Sequence, residues 1–192
     1  MKQNNKYKKE YVDLEQLDNL VPKEYRHKIN LLFNKDIPKQ PSNAQELAIC
    51  KFASFSESQI QQAFHNEFNA MAVELKMHNE FNELEFVQND NGDSAGGNLT
   101  QIQRIVLYKR KKAEGSRSGF PDVSMHCYSA KLNLRDVFHC EVKKIGSPSE
   151  IRLTKEQLWW FVKLNNMGFN SYITNNPLFF TGVVLGEIRK IF

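Results

Sequence analysis

The chain predicts an α/β fold: a mixed central β-sheet flanked by helices, preceded by a short helical N-terminal extension. Three observations carry this. Ile60, Phe64, Phe68, Met71, Ala72 and Leu75 recur at helical spacing behind a capping-box sequence. Two strand-like runs, 123–128 and 137–142, lie a hairpin-length gap apart. A second capping box then opens another helix, and a further strand-like run follows it. The order helix, strand, strands, helix, strand, helix is that of an α/β sandwich.

The elements follow in chain order. Tyr11, Leu14, Leu17 and Leu20 suggest a short amphipathic helix, and Ile29, Leu31, Leu32 and Phe33 a second. Pro38-Lys39-Gln40-Pro41-Ser42-Asn43 reads as a linker. Residues 1–50 are therefore expected to form an accessory helical segment, and 51–192 the main domain. Ser56 as N-cap and Gln59 three residues on predict a helix over 57–77. Leu84 to Val87 predicts a strand, broken by Asn89-Asp90-Asn91-Gly92-Asp93. From Gly96 to Gly115 the pattern is mixed: Ile102, Ile105 and Val106 suit a helix, while Ile105 to Tyr108 suit a strand, and helix is preferred. Residues 130–136 form the expected turn between the two central strands. Thr154-Lys155-Glu156-Gln157 opens a helix that Gly168 closes at C′. A strand over 169–174 and a helix over 177–192 complete the chain, although Gly182 and Gly186 weaken that last helix.

Composition narrows the class. Hydrophobic residues make up 41% of the 192 residues and charged ones 25%, which suits a folded domain with its own core. The 26 Lys and Arg exceed the 22 Asp and Glu, giving a net charge of +4, which permits an acidic partner. Three cysteines without framework spacing argue for a reducing compartment. Met1 to Lys9 is polar and basic, unlike a secretory signal, and no apolar run approaches the roughly 20 residues that span a bilayer. The expectation is a soluble cytoplasmic protein, of a bacterial or phage-infected cell, with no membrane partner.

Chemistry concentrates at Gly119-Phe120-Pro121-Asp122-Val123 and Glu141-Val142-Lys143. Side chains two apart on a strand share a face, so Glu141 and Lys143 look into one pocket. If the two runs pair, Asp122 joins them. Two crowded carboxylates repel, and one takes up a proton unless a positive charge intervenes. A hard divalent cation such as Mg²⁺, with substrate phosphates completing its shell, suits so few protein carboxylates. The basic run Arg104, Lys109, Arg110, Lys111, Lys112 and Arg117, against the single acid Glu114, leads into this element and suits backbone phosphates.

This spacing, Pro121-Asp122 followed by Glu141-Val142-Lys143, resembles the PD-(D/E)xK nuclease superfamily, and within it the VRR-Nuc family. Glu57 with Ile60-Gln61, Asn91-Gly92, Gly119, Gln157 and Gly168 extend the resemblance over about residues 55 to 175. It implies a restriction-endonuclease-like core and a metal-dependent endonuclease acting on DNA. Selectivity for junctions (such as four-way Holliday junctions) or flaps is implied with it, and a homodimer follows from the two-fold symmetry of junctions. It further implies Asp122 and Glu141 as ligands of Mg²⁺ (or Mn²⁺), joined by the Val142 carbonyl. Lys143 would orient the attacking water or stabilise charge at phosphorus. Glu57 would hold a second ion or a metal-bound water, and Gln157 would line the pocket wall.

Blander readings stand beside these. Glu57 suits a helix N-terminus and Gln157 a capping box without any further role. Gly119 to Asp122 suits a plain turn, and Glu141 with Lys143 an exposed charge pattern. The apolar neighbours Val137, Phe138, Cys140 and Val142 favour a buried strand instead, where an acid–base pair needs a reason. His126-Cys127 and His139-Cys140 make poor zinc chelates, because adjacent strand residues point to opposite faces. Trp159-Trp160 suits base stacking, or one core residue and one interface residue. Two alternatives to the nuclease reading remain: a nucleic-acid-binding module with a vestigial site, and a sequence-specific restriction-type enzyme.

Overall fold

The computed structural model describes residues 9–77, 83–88, 119–130 and 133–189. A mixed sheet is built from β1 (Ile29–Asn30), β2 (Glu83–Gln88), β3 (Val123–Ser129), β4 (Leu134–Val142) and β5 (Asn170–Thr174). Their spatial order is β1–β5–β4–β3–β2. The pairs β2–β3 and β3–β4 are antiparallel, whereas β5 runs parallel to both β4 and β1. Around the sheet lie α1 (Leu17–Leu20), α2 (Ala44–Phe52), α3 (Glu57–Met77), α4 (Lys155–Asn166) and α5 (Pro177–Arg189). The parallel pair β4–β5 needs a crossover, and α4 supplies it.

Strand alternation sorts the side chains into two layers. Val123, Met125 and Cys127 of β3, with Phe138, Cys140 and Val142 of β4, face the larger core. There they meet Ile60, Phe64, Phe68 and Met71 of α3 and Phe180 and Val184 of α5. Phe180 stands at the centre, its ring 5.6 Å from that of Phe64 and 5.7 Å from that of Tyr172. A smaller core on the other face holds Val12, Val21, Leu153, Leu158, Phe161 and Ile173. Odd-numbered residues of β4 and even-numbered ones of β3 point towards that second layer, which sets where the polar residues gather.

Both capping boxes form. The Ser56 amide donates to Gln59 Oε1 at 2.9 Å, and α3 starts at Glu57 as the pattern requires. At α4 the Thr154 amide donates to Gln157 Oε1 at 2.9 Å and the Gln157 amide to Thr154 Oγ1 at 3.2 Å. The far end of α4 closes in a Schellman motif: Phe169 N–H bonds to Leu164 O, Gly168 N–H bonds to Asn165 O, and Gly168 has φ 88°. Replacing Thr154 by Ala should lower stability by about 1 kcal/mol, read from the urea midpoint, because one orphan amide loses its acceptor.

Three expectations are corrected. The second N-terminal helix does not form: Ile29–Asn30 is a strand, paired with Ile173 and Thr174 of β5. Its backbone finds partners in the sheet, and the tether continues where the Asn175 amide bonds both the N–H and the C=O of Leu32 at 2.8 Å. The first helix is shorter than its apolar pattern: Tyr11 bridges to Thr154, and helical structure begins only with the 3₁₀ turn at Leu14–Gln16. The turn over 130–136 is tighter than expected, since β4 already starts at Leu134 and Arg135 and Asp136 pair with Tyr128 and Cys127. Asn133 makes this possible with φ 50°, a conformation Asn tolerates better than most residues. An additional helix, α2, follows the Pro38–Asn43 segment, capped by Asn43, whose Oδ1 accepts from the Glu46 amide at 2.9 Å. The expected boundary at residue 50 falls inside α2. Asn91-Gly92, the mixed segment 96–115 and the basic run Arg104, Lys109, Arg110, Lys111, Lys112 and Arg117 lie outside the described residues.

Candidate active site

The sheet register brings the two predicted motifs together. Val123 pairs with Cys140, so Asp122, one residue earlier, stands beside Glu141, one residue later. Asp122 Oδ2 accepts the Val142 amide at 2.8 Å, which anchors the loop carrying Asp122 to the end of β4. Lys143 continues the strand beyond β4, its amide bonded to Thr174 O at 3.1 Å. Its side chain turns inward: Nζ lies 2.6 Å from Glu141 Oε1, and both side chains are at least 95% buried. Glu57, the first residue of α3, places Oε1 4.0 Å from the same Nζ, with about half of its side chain exposed. Glu57 thus stands at the exposed edge of the cluster, and Glu141 and Lys143 form its buried part.

Gln157 joins the site from α4. Its Nε2 donates to Glu141 Oε1, while its Oε1 caps the helix at Thr154. The structural and the functional reading of this residue therefore hold at once, with one end of the amide serving each. Glu141 Oε1 takes Lys143 and Gln157, whereas its buried Oε2 has no hydrogen-bond partner. The structure gives no separate placement for the Val142 carbonyl within the site.

Electrostatics follow from the burial. Desolvation pushes the Glu141 carboxyl well above the usual carboxylate range; Lys143 pulls it down and Asp122 pushes it further up. Burial works to lower the Lys143 pKa, but Glu141, Glu57 and Asp122 outweigh it, and the net shift is upward. Lys143 is itself a positive charge of the kind that two neighbouring carboxylates require.

The wall beside the site is aromatic. Phe120, next to Pro121-Asp122, meets Trp160 edge-on at 5.2 Å between centroids and His139 at 5.4 Å. His139 lies two residues before Glu141 on the same face, and its Nδ1 is 2.8 Å from Ser124 Oγ. Sequence reasoning did not propose this wall; the only signal was that His139 shares the parity of Glu141. Burial, aided by His126, pushes the His139 pKa down to about 4. The unfolded chain then binds a proton that the folded one refuses between about pH 4 and 6.5, so stability is full above about pH 6.5 and falls on acidification. Lowering pH from 8 to 5 should remove about 2 kcal/mol through this group, and a His139→Asn variant should flatten that slope in urea titrations.

The His-Cys pairs split across the sheet. His126 and His139 lie on one face, and Cys127 and Cys140 are buried in the core on the other. Burial raises both thiols, Cys127 to about 12, so neither acts as a nucleophile near neutral pH. Among the described residues no three His, Cys, Asp or Glu side chains converge as a metal cluster. The donor set nonetheless fits a hard cation: two neighbouring carboxylates, one with a buried oxygen lacking a partner, are what Mg²⁺ takes when water and phosphate fill the remaining positions. No helix of the described residues is long and apolar enough to cross a membrane. No known protein family, curated protein or solved structure matches the chain. The resemblance to the VRR-Nuc family therefore rests on the residues quoted for it.

Proposed function

We propose that the protein is a metal-dependent endonuclease with a restriction-endonuclease-like core, hydrolysing phosphodiester bonds of DNA, with junction or flap structures as its preferred substrates. The observation that carries this reading is the buried Glu141–Lys143 pair beside Asp122, with Glu141 Oε2 lacking a partner. A buried ion pair gives weak stabilisation at best, because desolvation offsets its attraction. Two carboxylates clustered with a buried ammonium are better explained by chemistry performed there.

Asp122 and Glu141 would hold Mg²⁺ or Mn²⁺, with Glu57 at the exposed edge positioned for an outer water. When bound, the ion supplies a water of lowered pKa and polarises a phosphoryl oxygen. Lys143, itself buried, would hold a positive charge beside the phosphoryl oxygens, where negative charge develops. Gln157 fixes Glu141 by one oxygen and leaves the other directed to the ligand. Water adds to phosphorus and one P–O ester bond breaks, leaving one phosphate end and one hydroxyl end. The proton lost by the water is balanced by the one the leaving oxygen gains. The basic run 104–117 would grip flanking phosphates, and a homodimer would match the symmetry of a four-way junction.

Four-way junction, flap, linear duplex and plasmid DNA, each incubated with Mg²⁺ and with Mn²⁺, test the proposal. Cleavage of branched DNA in preference to linear duplex is the expected result. Binding without cleavage in both metals would assign a nucleic-acid-binding module instead, and cuts at one fixed plasmid sequence a restriction-type enzyme.

A further inference from the structure

One face of α4 points away from the sheet and carries Trp159, which is 53% exposed. An exposed indole of that size requires an explanation, since Trp160 beside it is buried as core. Trp159, Trp160, Lys155 and Glu156 line a cleft of about 360 Å³. Its position ties it to the site. Gly119 packs directly against Glu156 and Gln157 in the first turn of α4, so the loop that carries Asp122 forms the neighbouring wall. Trp160 passes the contact inward, meeting Trp159 edge-on at 4.9 Å and Phe120 at 5.2 Å.

The chemistry of the cleft selects its occupant. Lys163 holds Nζ 4.4 Å from the Trp159 centroid and 5.0 Å from that of Trp160. Lys155 is already paired with Glu10 at 2.7 Å. Glu156 adds a carboxylate that repels a phosphate entering the cleft itself. An uncharged π-face fits between these groups, with its attached phosphate towards Lys163.

We infer that Trp159 is a stacking platform for an unpaired base of the DNA adjoining the scissile phosphate. This deepens the proposed function and rests on it: it names unpaired DNA beside the cut as the structure recognised. A base held in a duplex has its faces covered by its neighbours, whereas the single strand of a flap offers one free. The indole already makes an edge contact with Trp160, which supports it on one side. Lys163 contributes attraction to the nucleotide's phosphate and a cation–π contact to the ring.

The test is equilibrium binding, in EDTA, of fluorescently labelled flap, single-stranded and blunt duplex DNA to wild type, Trp159→Ala and Trp159→Phe. Loss of stacking at Trp159→Ala should weaken flap and single-stranded binding by about 5- to 100-fold, and blunt duplex by less than about twofold. Trp159→Phe should recover most of the difference, which a merely structural role would not do. Unchanged flap binding by Trp159→Ala would overturn the inference. So would an equal loss on all three DNAs together with a change from dimer to monomer by light scattering, which would assign the cleft to a second copy of the chain. Wild-type cleavage in Mg²⁺ and Mn²⁺ is read separately. Trp159-dependent binding with no cleavage leaves base stacking standing and defeats the hydrolytic reading; cleavage with Trp159-independent binding does the reverse.

Discussion

Lys143→Met is expected to lower metal-dependent DNA cleavage about 10²- to 10³-fold, the typical loss when one preorganised charge-stabilising group is removed. The variant keeps most of the apolar stem and loses only the ammonium, so the pocket retains its packing. Its stability should then fall more steeply with rising pH than wild type's does. Removing one partner of a buried pair costs about 3–5 kcal/mol if the other stays charged. Glu141 has an escape, because burial already drives its carboxyl towards the protonated form and the loss of Lys143 drives it further. The folded state therefore keeps a proton on Glu141 at pH values where the unfolded state, ionising near 4.3, has released it. The contribution of Glu141 to the stability of Lys143→Met should be full below about pH 4.3 and be lost as pH rises towards the raised pKa of that group, opposing the slope that His139 supplies. Adding Glu141→Gln to Lys143→Met should remove that falling component, leave the His139 slope, and recover stability, without recovering cleavage. Urea titrations across pH and single-turnover cleavage of the same preparations measure both. Cleavage within tenfold of wild type by Lys143→Met would contradict the role given to the ammonium.

Gly119→Ala is the substitution expected to injure the fold most for its size. Gly119 has φ +76°, which costs an alanine about 1–2 kcal/mol. A Cβ there would lie 2.7 Å from Glu156 Cβ, 2.8 Å from Glu156 C and 2.9 Å from Gln157 N. Two of these atoms belong to the helix backbone, which cannot rotate aside, so overpacking adds about 1–3 kcal/mol. The sum is about 2–5 kcal/mol, read from the denaturation midpoint. The damage extends to the proposed chemistry, because relief of the clash moves the Asp122 loop away from the helix turn that carries Gln157. A displacement of about 1 Å is enough to cost about 10²-fold in rate. Gly168→Ala is the control: that glycine also has a positive φ, 88°, but open space around it, so it should lose stability through conformation alone and leave cleavage near wild type.

These two residues also mark what could be read from the chain and what could not. Local rules were legible. The two capping boxes fixed where α3 and α4 begin, and the period-two pattern placed Glu141 and Lys143 on one face of a central strand. The tertiary contacts were less so. Ile29 sits in a helix-like apolar pattern, yet pairs with Ile173 three quarters of the chain's length away, and no local signal announces a two-residue edge strand. The start of β4 was hidden because Arg135 and Asp136 look like turn residues until the register with Tyr128 and Cys127 is known. Gln157 was read as either cap or site, because nothing in the spacing says that the two ends of one amide serve both. Gly119 was legible as a glycine before Pro-Asp, but the reason for it, the backbone of α4 within 3 Å of where a Cβ would stand, is a property of the assembled fold. The Phe120–His139–Trp160 wall joins three segments far apart in sequence, which periodicity cannot connect.

The measurement that bears most directly on the central claim is Mg²⁺-dependent cleavage of flap and four-way junction DNA by wild type and by Asp122→Asn, purified in parallel. Asp122→Asn keeps an oxygen to accept the Val142 amide but halves the charge of the carboxylate pair facing the ion. The account predicts strand cleavage by wild type that requires the metal, and at least a 10²-fold slower rate for Asp122→Asn with an unchanged denaturation midpoint, about the loss of one ground-to-transition-state contact of 2.7 kcal/mol. Equal cleavage by the two proteins, or cleavage by wild type that persists in EDTA, would contradict it.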